Sequence, residues 1–403
     1  MKTEENSAES MNGSLGKTPP LKTIYFYLTE GCNLRCRHCW IEPKFESGQP
    51  RHVRLDVEIF RSVIGQAKHL GLATLKLSGG EPLLHPEFGE ITRIVREEDL
   101  QLTVETNGTL CTPEASHAMA SCRQPSVAVS LDGADAEIHE WVRGVSGSFD
   151  AAVAGIRNLV DAGIRPQVIM TVMRRNAAQL EAVIRLAESL GCGSVKFNVV
   201  QPTARGLKMH HAGETLSIEE LIGLGEWVEN DLSLKTRLHL SYAHPMSFRP
   251  MGRMFGRDGT GCGVCSIHGI LGVLADGSYS LCGIGTTVPE LVFGHAERDS
   301  LSDVWNGNAI LRDIREGLPG RLHGVCGECI MKGVCQGSCI AQNYVSSREL
   351  WAPFWYCEEA RNLGLFPKSR LGKMTGTSPA GEGTREKEPA RLLSGHHGQM
   401  PQA

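Results

Sequence analysis

Residues 29–40 read TEGCNLRCRHCW, with three cysteines, Cys32, Cys36 and Cys39, separated by three and then two residues; no fourth follows until Cys111. What takes three thiolates and leaves a fourth position open decides both the fold and the chemistry. A structural zinc site wants four protein ligands, so three thiolates alone make a poor one. His38 lies between Cys36 and Cys39, where chain geometry makes closing one tetrahedron awkward. A 4Fe-4S cluster held by three cysteines fits better, because one iron stays open to an outside ligand. An ordinary loop with three free thiols is the plain alternative.

Outward from this loop, strand-like and helix-like segments alternate. TIYFYL (23–28) is apolar, β-branched and aromatic, and in DVEIFRSVIGQAKHL (56–70) Val57, Phe60, Val63, Ile64 and Ala67 share one helical face. The alternation continues through ATLKLS (73–78), EFGEITRIVREE (87–98), LQLTVET (100–106), SVAVSL (126–131), FDAAVAGIRNLVDAG (149–163), RPQVIMTV (165–172), AAQLEAVIRLAESLG (177–191), SVKFNVV (194–200) and SIEELIGLGEWVEN (217–230). Six strand-helix units predict an α/β fold whose parallel sheet is covered by crossover helices, a partial (β/α)6 barrel over residues 23–230. Chemistry in such barrels sits at the carboxyl ends of the strands. TEGCNLRCRHC, SGGEP (78–82), ETNG (105–108) and SLDG (130–133) follow the first four strands in turn.

The remaining chain is read as a disordered lead-in (1–22), a linker (231–261), a Cys-rich domain (262–365) and a polar, disordered tail (366–403). A formal net charge of −4 over 403 residues offers no basic footprint for nucleic acid. No apolar run reaches the ~18 residues that span a bilayer, and no signal peptide is visible, so a cytoplasmic location is expected, with no membrane partner. Fourteen cysteines in a chain without an export signal then point to metal rather than disulfides.

Eight of those cysteines crowd into the Cys-rich domain: Cys262, Cys265, Cys282, Cys326, Cys329, Cys335, Cys339 and Cys357. A zinc ribbon from Cys262, Cys265, Cys326 and Cys329 would strand the other four. Two fully ligated 4Fe-4S clusters would use all eight. Cys111, Cys122 and Cys192 read as small buried residues.

The C-x3-C-x2-C loop after the first strand resembles the signature of the radical S-adenosylmethionine (SAM) superfamily. The resemblance implies that SAM chelates the open iron and is cleaved to methionine and a 5'-deoxyadenosyl radical. It further implies that His38 lies against the adenine, that Gly79, Gly80, Glu81 and Pro82 receive the methionine moiety, that Ser130 and Arg143 hold the ribose and carboxylate, and that Val199 touches adenine through its backbone. The Cys-rich segment resembles the SPASM domain. That resemblance implies one auxiliary cluster on Cys262, Cys265, Cys282 and Cys339 and another on Cys326, Cys329, Cys335 and Cys357, for three 4Fe-4S clusters in all.

Two auxiliary clusters give an electron places to go, so net oxidation of the substrate is expected. Among similar enzymes, sulfatase maturases carry an Asp after the cysteine matching Cys282; here that position is Gly283. The leading expectation is therefore an oxidative thioether or carbon-carbon crosslink in a ribosomally made precursor peptide, with peptide epimerisation or formylglycine formation as alternatives. The resemblance also implies an electron donor such as flavodoxin or ferredoxin. The first strand begins near Thr23, leaving no room for a leader-binding domain, so leader recognition would fall to the SPASM face or a separate leader-binding protein. The rival from another class is a non-enzymatic electron carrier or redox sensor. No general base is assigned: Glu105 and Asp132 lie at strand ends, and His210-His211 reads as a solvated loop.

Overall fold

Alternation of apolar residues with polar ones decides which way each strand faces. In the computed structural model, which describes residues 18–48, 51–256 and 265–372, seven of the eight parallel strands of the main sheet precede the Cys-rich segment. They are β1 (Thr23–Tyr27), β2 (Thr74–Ser78), β3 (Gln101–Thr106), β4 (Arg123–Ser130), β5 (Gln167–Val172), β6 (Ser194–Val199) and β7 (His239–Tyr242). Phe26, Leu77, Val104, Val129, Met170 and Phe197 are buried on the face covered by helices. That cover comprises α1 (Val57–Lys68), α2 (Phe88–Glu97), α3 (Pro113–Ala120), α4 (Ala136–Arg143), α5 (Ser148–Asp161) and α6 (Leu180–Ser189), followed by α7 (Ala204–His211) and α8 (Ile218–Asn230). Phe26 meets Phe60 of α1 with ring centroids 4.5 Å apart. Each such fully buried side chain contributes roughly 1.5–3 kcal/mol. The opposite, concave face carries Tyr25, Lys76, Glu105, Ser130, Thr171, Lys196 and Asn198.

The six-unit reading holds for β1–β6, but the sheet continues beyond both edges. β7 adds in parallel to β6, so residues 231–261 are not a plain linker. At the other edge β8 (Ile270–Val273) pairs in parallel with β1 and leads antiparallel into β9 (Ser278–Ser280) and β10 (Val292–His295). The Cys-rich segment therefore starts as an extension of the barrel sheet, and the chain through Leu371 is one compact unit.

Ordered packing extends further toward both ends than the sequence suggests. Leu21 is fully buried, and the Trp305 indole donates to the Pro19 carbonyl at 2.9 Å. Phe366 is buried, Arg370 donates to the Ser247 and Arg249 carbonyls, and Leu371 bridges to Cys329. A single tryptophan or phenylalanine with its own pocket suffices to fix a polar terminus, and composition averages that out. Residues 1–17 and 373–403 lie outside the described residues. Helices α3, α4 and α7 escape the sequence reading because each has only eight residues, too short for a periodic stripe.

Candidate active site

The cysteine loop leaves β1 and docks on two neighbours. The amides of Arg35 and Arg37 donate to the Arg143 and Val142 carbonyls at the end of α4. From α7, the Arg205 guanidinium donates to the Cys36 and Pro43 carbonyls. No sequence motif announces Arg205, which acts only through this tertiary contact. Cys32 and Cys36 are buried and Cys39 is half-buried. Burial, then the neighbouring Cys36, pushes the Cys39 thiol up to about 11, and the same two causes raise Cys32 further.

Beside the loop, an open cavity of about 190 Å³ is lined by Cys36, His38, Gly80, Ser130, Arg143 and Asn198, among others. Gly79 has φ +134°, and a Cβ on Gly80 would fall 1.9 Å from the Gly31 carbonyl oxygen. Here the glycines serve the close approach of the two loops: Gly80 and Glu81 donate their amides to the Thr29 and Gly31 carbonyls at 2.7 and 2.9 Å. Those two amides are thus engaged in that contact; an ammonium, itself a donor, would be received by backbone carbonyls instead.

Glu81 is buried, and its carboxylate accepts from Thr106 Oγ1 (2.6 Å), the Asn107 amide (2.8 Å) and the Leu83 amide (3.2 Å). Burial pushes its pKa to about 7 despite those donors. Asn107 in turn donates to Asn33 of the cysteine loop at 2.8 Å. The ETNG and GGEP turns thus form one polar strut, and Pro82, buried at the start of a single helical turn, stiffens it. Ser130 reaches the cavity from the end of β4. Val199 does not line it. Alternation turns its side chain to the helix layer, and its carbonyl accepts from Gln201 at 3.0 Å.

Arg143 is buried and pairs with the fully buried Asp132 at 2.7 Å, while its second terminal nitrogen donates to Cys36 Sγ at 3.4 Å. Asp132 also accepts from the Thr171 amide at 2.7 Å. It is therefore the counterion of Arg143 rather than a turn residue. Asp132→Asn leaves that guanidinium uncompensated in the interior and is expected to cost about 3–5 kcal/mol in denaturant unfolding; Arg143→Met on the Asn background should recover part of it.

Two polar atoms at this cavity, Nδ1 of His38 and Nε of Arg143, are buried and have no hydrogen-bond partner among the described residues. Burial holds His38 down at about 4, hence neutral. A neutral imidazole and an unfilled guanidinium edge fit a ligand carrying an adenine ring and a carboxylate, as SAM does.

The C-terminal thiols fall into two groups. Beyond the effect of burial, Cys265 and Cys282 are raised by Cys339, each to about 12. In the other group, after burial, Cys335 is raised by Cys326 and Cys329, and Cys357 by Cys326, Cys335 and Cys329. In this second group two sulfurs receive backbone amides, Cys326 from Phe354 and Cys329 from Met331, both at 3.4 Å. Amides aimed at sulfur suit cluster thiolates. Cys122, by contrast, donates its thiol to the Thr92 carbonyl at 3.5 Å. Cys265 and Cys326 fall in different groups, against a shared zinc ribbon; Cys262 lies outside the described residues. Among the described residues no three Cys, His, Asp or Glu side chains converge as ligands of one ion do. A cubane needs no such convergence, since each thiolate takes its own iron.

Gly283, after Cys282, has no room for a carboxylate: a Cβ there would fall 2.4 Å from the Tyr27 ring. Gly283→Asp should overpack this contact by about 1–3 kcal/mol, read as a lowered Tm, and Tyr27→Ala on that background should relieve it. His210 sits on the last turn of α7, not in a loop. Its ring nitrogens contact the Val200 carbonyl and Thr215 Oγ1, each at 3.2 Å, which leaves neither free for catalysis.

The comparisons agree with this geometry. The Radical SAM superfamily model matches residues 26–187, and that of the SPASM iron-sulfur cluster-binding domain matches 262–330. An AdoMet-dependent heme synthase of Methanosarcina barkeri is 30% identical over 346 residues, 83% of this chain and 96% of the relative. The mycofactocin maturase MftC of Mycobacterium tuberculosis is 27% identical, over 85% of this chain and 84% of the relative. Streptococcus suis SuiB bound to its precursor peptide SuiA superposes with TM-score 0.65 at 15% identity, covering 88% of this chain and 84% of that one. This chain is an enzyme of the radical SAM superfamily and carries a C-terminal SPASM iron-sulfur cluster-binding domain.

Proposed function

We propose that the enzyme oxidatively modifies a ribosomally made peptide, joining two of its residues by a thioether or carbon-carbon bond. It would hold three 4Fe-4S clusters, on the cysteine sets given above with Cys262 completing the set of Cys265, Cys282 and Cys339, and draw its electron from a flavodoxin- or ferredoxin-like donor. When bound, SAM and its cluster supply a 5'-deoxyadenosyl radical, and the auxiliary clusters supply electron acceptors. The protein's part is to position and to exclude water. Arg143, held by Asp132, and His38 would seat SAM, and the strut through Glu81, Asn107 and Asn33 would fix the cysteine loop against it.

The observation that carries this reading is the place of Cys265 and Cys282 beside β1. Tyr25 and Tyr27, on β1, are raised first by burial and then by Cys265 and Cys282 respectively. An electron acceptor there would open onto the barrel lumen. A second cavity, of about 220 Å³, is lined by Tyr27, Ile41, Pro43, Gly79, Ala275 and Thr286 among others; it shares Gly79, Gly80, Ile41 and Pro43 with the first. Such a cleft suits an extended chain. The absence of a carboxylate after Cys282 weighs against formylglycine formation.

A second reading, an iron tetrapyrrole substrate, is favoured by the heme synthase relative and its coverage. Anaerobic coexpression with a short peptide encoded beside the gene tests the first: a peptide lighter by about two daltons supports it. An unchanged peptide, together with conversion of iron coproporphyrin by the purified enzyme, would replace it with the second.

A further inference from the structure

Lys196 stands in the barrel lumen without a hydrogen-bond or ion-pair partner of its own among the described residues. Its neighbours on β6, Val195 and Phe197, are fully buried in the core, so strand alternation turns Lys196 and Asn198 to the concave face. In register across β5 lie Ile169 and Thr171, which line the reaction cavity together with Asn198. The other lumen charges nearby are Lys76 on β2 and Glu105 on β3, ion-paired at 2.6 Å. Lys76 also lies over the Tyr25 ring, 4.7 Å from its centroid. Arg143 and Asp132 neutralise each other. Burial depresses the Lys196 ammonium, with Glu105 attracting it and Lys76 repelling it. Glu105 is thus engaged by Lys76, and Lys196 has no hydrogen-bond or ion-pair partner among the described residues.

A half-buried ammonium without a counterion is costly, and an anion that arrives with the substrate removes that cost. We propose that Lys196 binds a carboxylate of the substrate, close to the carbon that loses hydrogen. The enzyme then prefers a peptide whose modified stretch is acidic. This rests on the peptide reading, but the carboxylate site itself does not, since an acidic side chain and a tetrapyrrole propionate present the same group.

The test compares binding of a fluorescently labelled form of the precursor peptide from the coexpression experiment with that of the same peptide bearing Asn or Gln for its Asp or Glu. The amide peptide is expected to bind wild-type enzyme at least about 10-fold more weakly. K196M should weaken the acidic peptide by a similar factor and the amide peptide little, and K196R should bind close to wild type. The wild-type comparison stands even where K196M does not fold, which its iron content reveals. Equal binding of acid and amide peptides overturns the proposal. So does loss of turnover in both K196M and K196R with unchanged peptide affinity, which would make Lys196 a proton acceptor instead. If wild type converts only iron coproporphyrin, the peptide reading fails separately. The free acid is then compared with its methyl ester: a K196M defect confined to the acid upholds the carboxylate site and replaces the acidic peptide with a tetrapyrrole, and a defect common to both overturns it.

Discussion

With Cys32, Cys36 and Cys39 replaced by Ala, the anaerobically reconstituted enzyme is expected to hold about eight irons against about twelve in wild type, and to form no 5'-deoxyadenosine under dithionite. The loss should be complete rather than graded because, on the proposed assignment, these three thiols alone hold the SAM-side cluster. Burial and the neighbouring Cys36 hold the Cys32 and Cys39 thiols well above their ordinary range, so a bound metal is what would make thiolates of these two. The fold should survive: the three residues form a small cluster of their own with Leu34 and Val145, apart from the main core. Far-UV circular dichroism close to wild type checks that. Retention of twelve irons, or zinc in the C-terminal half, would overturn the assignment.

Removing Cys339 should cost about four irons and nearly all modified peptide while 5'-deoxyadenosine still forms. Cys339 sits at the N-cap of the helix Ile340–Ser347, and burial raises its thiol. It is also the largest influence, after burial, on both Cys265 and Cys282. The arithmetic of double variants tests the grouping. Cys339→Ala with Cys265→Ala should lose no more iron than either alone, since both empty one site; Cys339→Ala with Cys357→Ala should lose about eight. Equal losses from both pairs would mean that the eight thiols are divided otherwise.

The sequence by itself determined the parallel sheet, because six apolar strand segments alternate with amphipathic stripes long enough to read. It determined the cysteine loop too, because ligands held within one short loop must show their spacing in the chain. Contacts between distant segments left no such trace. Asp132 and Arg143 stand eleven positions apart, and nothing in the chain pairs the strand-end carboxylate with the arginine expected to meet SAM until α4 brings them together inside the fold. Gly79 and Gly80 read as a ligand cradle; the fold adds that the Thr29 backbone and the Gly31 carbonyl occupy the space their missing side chains vacate. Lys196 looks like one polar residue in a strand; only the curvature of the sheet sets it opposite Lys76 and Glu105 and makes it an unpaired charge. Local spacing fixes what one loop can bind, whereas burial, ion pairing and the face a side chain joins are properties of the packed sheet, and tertiary structure alone decides them.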